Sequence, residues 1–219
     1  MNMSNTQFIG WTAIIGGSVA FIGFVSLLVF FVVGGPFGSI NDFLAIPSGL
    51  LLLPLVWGLY RVNGAGHPLP SVIALLAGVA GFLATMTGSI LLLLNRIDFQ
   101  QSLLFGIGGF GLIGLWVLID SVLGLAAGTM PRGISWLGVL LGITPTFALL
   151  AVFRADSVAN SLTGMTGQTA VGFEMTPLVT IMMVMGFISY AGLPIWFIAL
   201  GRLFLSGRLG LPTEAIAAL

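Results

Sequence analysis

The chain has 219 residues, 58% of them hydrophobic and 5% charged, with a mean hydropathy of +1.19 and no formal net charge. A soluble domain is about a quarter charged, so this chain cannot cover a water-facing surface, and most of it must face lipid. Its six arginines, with no lysine, form no basic concentration that could track phosphates, which excludes nucleic acid as a partner; the absence of cysteine removes disulfides, thiolate metal sites and cysteine nucleophiles.

The opening MNMSNTQFIG lacks the basic region of a signal peptide, and the apolar run behind it is too long for one. It reads as a retained first membrane helix. A span needs about 20 mostly apolar residues, and six stretches qualify: about 8–33, 41–60, 70–94, 102–127, 134–153 and 177–204. The breaks carry turn chemistry: GGPFGS, NGAGHPLP, NRIDFQQ and GTMPRG. Only the fifth connection, from Arg154 to Met175, is long. The expected fold is all-α: a polytopic integral membrane protein whose residues 1–219 form one bundle of six transmembrane helices.

Arginine placement sets the expected orientation. With both termini in the cytoplasm, Arg61, Arg132, Arg202 and Arg208 fall inside, whereas Arg96 and Arg154 fall outside with Asp42, Asp98, Asp156 and Glu174. Ala77, Gly81, Thr85 and Ser89 recur every fourth residue on the third helix, as do Gly138 and Gly142 on the fifth. Such small residues let backbones approach closely, within one bundle or across a homodimer.

A 3+3 inverted repeat is also readable. PLVWGLYR (Pro54–Arg61) resembles PTFALLAVFR (Pro145–Arg154), and GFLATMTGSILLLLNR (Gly81–Arg96) resembles GFISYAGLPIWFIALGR (Gly186–Arg202). Inverted repeats with interrupted helices are a transporter habit, and Pro54, Pro145 and Pro194 are the candidate bends.

MPRGISWLG (Met130–Gly138) and LPIWFIALGRLFLSG (Leu193–Gly207) resemble stretches of small six-helix bacterial membrane proteins catalogued as a domain of unknown function. The resemblance spans nearly the whole chain. It implies a bacterial inner-membrane location and six helices, and it brings no catalytic residues with it.

Reactive chemistry is scarce. Without lysine there is no retinal Schiff base, and with one histidine no bis-histidine haem. No nucleophile elbow is present, and FGIGGFGLIG (Phe105–Gly114) reads as a glycine-faced helix rather than a phosphate cradle. His67 reads as an interfacial histidine, the methionines of IMMVMGF as gap fillers, and Trp11, Trp57, Trp136 and Trp196 mostly as aromatic belts. No cofactor and no metal are expected.

The anomaly is Asp120, inside GLIGLWVLIDSVLGLAAG. An intramembrane acid is a functional hypothesis by default. Its helical stripe holds Trp116, Ile113, Gly109, Gly106 and Gly124, so the carboxyl should point into the bundle. Arg202, or failing that Arg61, is the expected partner from the same membrane end, met directly or through water. The alternative is a proton or cation relay. Three function classes follow: a non-enzymatic accessory subunit or binder of a small apolar ligand or lipid; a small secondary transporter, proton-coupled through Asp120; and, least favoured, an intramembrane enzyme. The lipid bilayer is the expected partner, with a homodimer or membrane-complex partner as an open addition.

Overall fold

The computed structural model describes residues 4–152 and 177–209. Among these residues there are helices and no strand: α1 (Asn5–Val33), α2 (Phe37–Asn63), α3 (Pro68–Leu93), α4 (Phe99–Ala127), α5 (Arg132–Val152) and α6 (Pro177–Leu205). Among the described residues five stretches are long and apolar enough to cross a membrane: α1, α2, α3, Gln101–Ala127 of α4 and Gly186–Leu205 of α6. Large apolar side chains such as Trp11, Ile15, Ile22 and Val25 on α1, or Trp136, Leu140 and Phe147 on α5, face outward. Outward-facing apolar rows fit a lipid environment, where burial in protein is not needed to hide them.

Several helices begin a turn before their apolar runs. At the start of α1, Ser4 Oγ accepts from the Gln7 amide at 3.3 Å while Gln7 Oε1 accepts from the Ser4 amide at 3.2 Å. Asp98 and Gln101 repeat this capping box at the start of α4. Between α1 and α2 the chain reverses through Gly34 and Gly35, at φ +72° and +74°, a left-handed conformation open to glycine at little cost. Pro36 then starts α2 four residues earlier than the sequence suggests, and α2 also continues to Asn63. Pro54, Pro145 and Pro194 all lie within continuous helices.

The helices pack in a ring: each touches its neighbours in chain order, α6 closes onto α1, and α2 also meets α4. Three seams are built on facing glycines. A Cβ on Gly81 of α3 would stand 2.7 Å from the Gly109 carbonyl oxygen of α4, and one on Gly109 would stand 2.8 Å from that of Gly81. Gly114 and Gly142 oppose each other in the same way between α4 and α5, as do Gly10 and Gly201 between α1 and α6. The stripe from Ala77 to Ser89 and the Gly138–Gly142 pair are thus used inside the bundle.

The centre of the ring is aromatic. Phe82 (α3), Trp116 (α4), Trp196 and Phe197 (α6) are buried together, with Trp116 stacked on Phe197 at 5.9 Å between centroids and edge-on to Trp196 at 6.0 Å. This corrects the belt reading of Trp196. Its indole is fully buried, and its N–H donates to the Ile134 carbonyl at 2.9 Å, so it locks α6 to the start of α5. Trp11, Trp57 and Trp136 are exposed, as a belt requires.

Candidate functional site

The aromatic layer divides the bundle into two polar regions. One surrounds Asp120, towards the end where α2 meets α3. The other is a cavity towards the end where α1 meets α2.

Asp120 lies seven residues before Ala127, the last of α4, or about 10 Å at 1.5 Å per residue. It is 1% exposed and points into the bundle, as its glycine stripe implies. Its direct partner is not an arginine. Asp120 Oδ1 accepts from the Asn63 side-chain amide at 2.9 Å, and Asn63 Oδ1 in turn accepts from the Thr129 hydroxyl at 3.1 Å. A direct pairing with Arg202 or Arg61 is therefore corrected. Arg202 is exposed at the end of α6, and the Arg61 guanidinium lies 5.0 Å over the Trp57 ring. Both arginines have long stems that carry their charge to the surface, whereas Asn63 sits on the extra turn of α2, already beside Asp120.

Around this triad, buried polar atoms go unpaired. Among the described residues, Asp120 Oδ2, Ser121 Oγ, Ser71 Oγ, Ser135 Oγ and Trp116 Nε1 have no hydrogen-bond partner. Trp116 Nε1 lies one turn from Asp120 on the same face without meeting hydrogen-bond geometry. All five belong to the half of the bundle on the α2–α3 side of the aromatic layer or to that layer itself. Ser121 lies against Gly138, where a Cβ would collide with its hydroxyl and with the Trp196 indole nitrogen.

The cavity is larger and was not foreseen. A vestibule of about 710 Å³ opens between the C-terminal part of α1, the start of α2, the end of α3 and the start of α4. Its walls are chiefly apolar, including Phe30, Phe31, Phe99 and Phe110. A deeper chamber of about 90 Å³ shares Asn41, Ala45, Thr85, Phe110 and Tyr190 with it and ends on Phe82 and Phe197. Polar groups gather on one side. The Tyr190 hydroxyl donates to Asn41 Oδ1 at 3.2 Å, and Ser89 lies against the Asp42 carboxyl.

The sequence places Asp42 on the outer side, at the very start of the second span. Because α2 begins at Phe37, it stands on the second turn as a vestibule-lining side chain, half-buried. Gly106, part of the glycine run of α4, lines the vestibule with open space where a Cβ would be. The long connection 153–176 lies outside the described residues, as do the side chains of Met182, Met183 and Met185.

Set beside known protein families, curated proteins and solved structures, the chain matches none of them.

Proposed function

We propose that this protein is a six-span, non-enzymatic membrane protein, an accessory subunit or free-standing binder, that holds a small, mainly apolar molecule or lipid in the vestibule. Bacterial inner membrane is the location proposed from the resemblance, and the arginine bias puts both termini in the cytoplasm; the vestibule then faces outward. The observation that carries the reading is the cavity of about 710 Å³, with phenylalanine walls and a few convergent polar groups. Ligand sites have that size and composition.

Gly106 supplies the test. Tryptophan at this position has room to enter the vestibule without meeting a neighbour at its Cβ. Protein purified in mild detergent and examined by native mass spectrometry should carry one bound amphipath per chain. Gly106→Trp should lose it while keeping the melting temperature of the unsubstituted protein. Equal retention by both, or no retained molecule in either, would contradict the binding site.

A second reading, a small secondary transporter coupled to protons through Asp120, has its own support. The vestibule stops at the aromatic layer, and beyond that layer lie Asp120 and a set of unpaired buried polar atoms. The ring lends no support to a 3+3 inverted repeat, because a two-fold axis in the membrane plane would wind the second three helices in the opposite sense, whereas here all six follow one another around a single ring. Transport requires the aromatic layer to part so that the Asp120 side gains access to water.

A further inference from the structure

We propose that the vestibule selects an amphipathic organic cation, its positive head at Asp42 and its apolar body against Phe30, Phe31, Phe99 and Phe110. The proposal rests on the ligand-binding reading above and adds the charge of the ligand.

Among the described residues, Asp42 is the only charged side chain on the wall of either the vestibule or the deeper chamber. Among the described residues neither cavity is lined by a basic group, so an anionic ligand would meet the Asp42 carboxyl with no described cation beside it. A cation meets the reverse. Asp42 is half-buried, and charge pairing strengthens where water is partly excluded. The groups beside Asp42 add oxygen atoms rather than cations: Ser89 lies against it, and Asn41 and Tyr190 form a hydrogen-bonded pair nearby. Four phenyl rings line the same space, and aromatic faces attract cations as well as alkyl chains. An ammonium group with few or no N–H donors suits such a wall best, because carboxyl, hydroxyl and ring faces can surround it without a matched donor set.

The probes are tritiated phenylbutyl-trimethylammonium and its neutral isostere in which carbon replaces the ammonium nitrogen. They have the same shape and differ in charge. Equilibrium binding is measured on the purified full-length protein in nanodiscs, with empty nanodiscs subtracted. The expected result is a preference for the cation of about tenfold or more. Asp42→Asn should abolish that preference while leaving the affinity for the isostere unchanged, which also shows that the variant is folded. Asp42→Glu should restore it. If both probes bind equally to the unsubstituted protein, or if the preference survives Asp42→Asn, the charge selection is wrong and the vestibule remains a binding site. If neither probe binds, the binding site and the charge selection both fall.

Discussion

Valine in place of Gly109 should unfold or severely loosen the bundle. A Cβ there would stand 2.8 Å from the Gly81 carbonyl oxygen and 2.9 Å from the Thr85 amide nitrogen, both backbone atoms of α3. Backbone cannot swing aside as a flexible side chain can, so α3 and α4 would have to separate. Overpacking of this kind costs about 1–3 kcal/mol and sometimes more, and a β-branched residue with three added carbons belongs at the upper end. In a membrane little hydrophobic drive pulls helices together, so the close contact itself is what holds the seam. Gly106→Ala, on the same helix one turn earlier, is the control: it meets nothing within 4 Å, and exchanging glycine for alanine in a helix favours the helix by up to about 1 kcal/mol. Unfolding in mixed micelles with rising dodecyl sulfate measures both. Equal stability of the two variants would contradict the glycine-to-glycine seam.

The second large effect is expected at Asn63. Leucine at this position removes the one hydrogen-bond donor that Asp120 has among the described residues, and also the acceptor for Thr129. Both oxygens of a carboxyl that is 1% exposed would then lack a partner. Leaving a buried polar group unsatisfied costs about 1–3 kcal/mol, and more if the group is charged. Removing both partners differs from removing one: Asn63→Leu combined with Asp120→Leu leaves no orphaned carboxyl and should recover most of the loss. Asp120→Asn should be milder than Asn63→Leu, because no arginine depends on Asp120 and an amide can still accept from Asn63. A double-mutant cycle in the same dodecyl sulfate titration gives the coupling directly. Additive single effects would show that the bond across α2 and α4 contributes nothing.

These two sites differ in how far the sequence revealed them. The glycine stripes were readable because small residues every fourth position lie on one helix face whatever the partner helix is, and Gly81, Gly109 and Gly142 do meet backbone. The inward aim of Asp120 was readable for the same reason, from Gly109, Ile113 and Trp116 on its stripe. Its partner was not. The pair Asn63–Gly64 reads as a turn, but α2 runs on to Asn63 before turning at Gly64 and places Asn63 opposite a residue 57 positions away. Charge attraction pointed to arginine, whose long side chain in fact reaches surface or, for Arg61, an indole ring.

The vestibule was hidden by a similar error of boundary. GGPFGS looks like a loop six residues long, which would put Asp42 at a helix start in water. Two left-handed glycines and one proline complete the reversal instead, so α2 begins at Phe37 and Asn41 and Asp42 become wall residues. Helix limits counted from apolar residues alone omit capped polar turns, and here the polar turns carry the candidate chemistry. Trp196 failed for another reason: its distance from the helix end suits a belt, but its indole N–H finds a backbone carbonyl in the core, which position along the chain cannot show.

The central claim is a chamber open on one side of the aromatic layer and sealed on the other. The chain contains no cysteine, so single cysteines can be placed without a background reaction. Gly106→Cys reports the vestibule, Ser48→Cys the deeper chamber, and Ser71→Cys the fully buried region beyond the aromatic layer. Each variant, folded in nanodiscs, is titrated with a small charged methanethiosulfonate reagent. The account predicts fast labelling at Gly106→Cys, slower but complete labelling at Ser48→Cys, and none at Ser71→Cys with or without phenylbutyl-trimethylammonium. Labelling at Ser71→Cys that appears only when the cation is added would favour the transporter reading over simple binding. An unreactive Ser48→Cys, or a Ser71→Cys that reacts as fast as Gly106→Cys without ligand, would contradict the account.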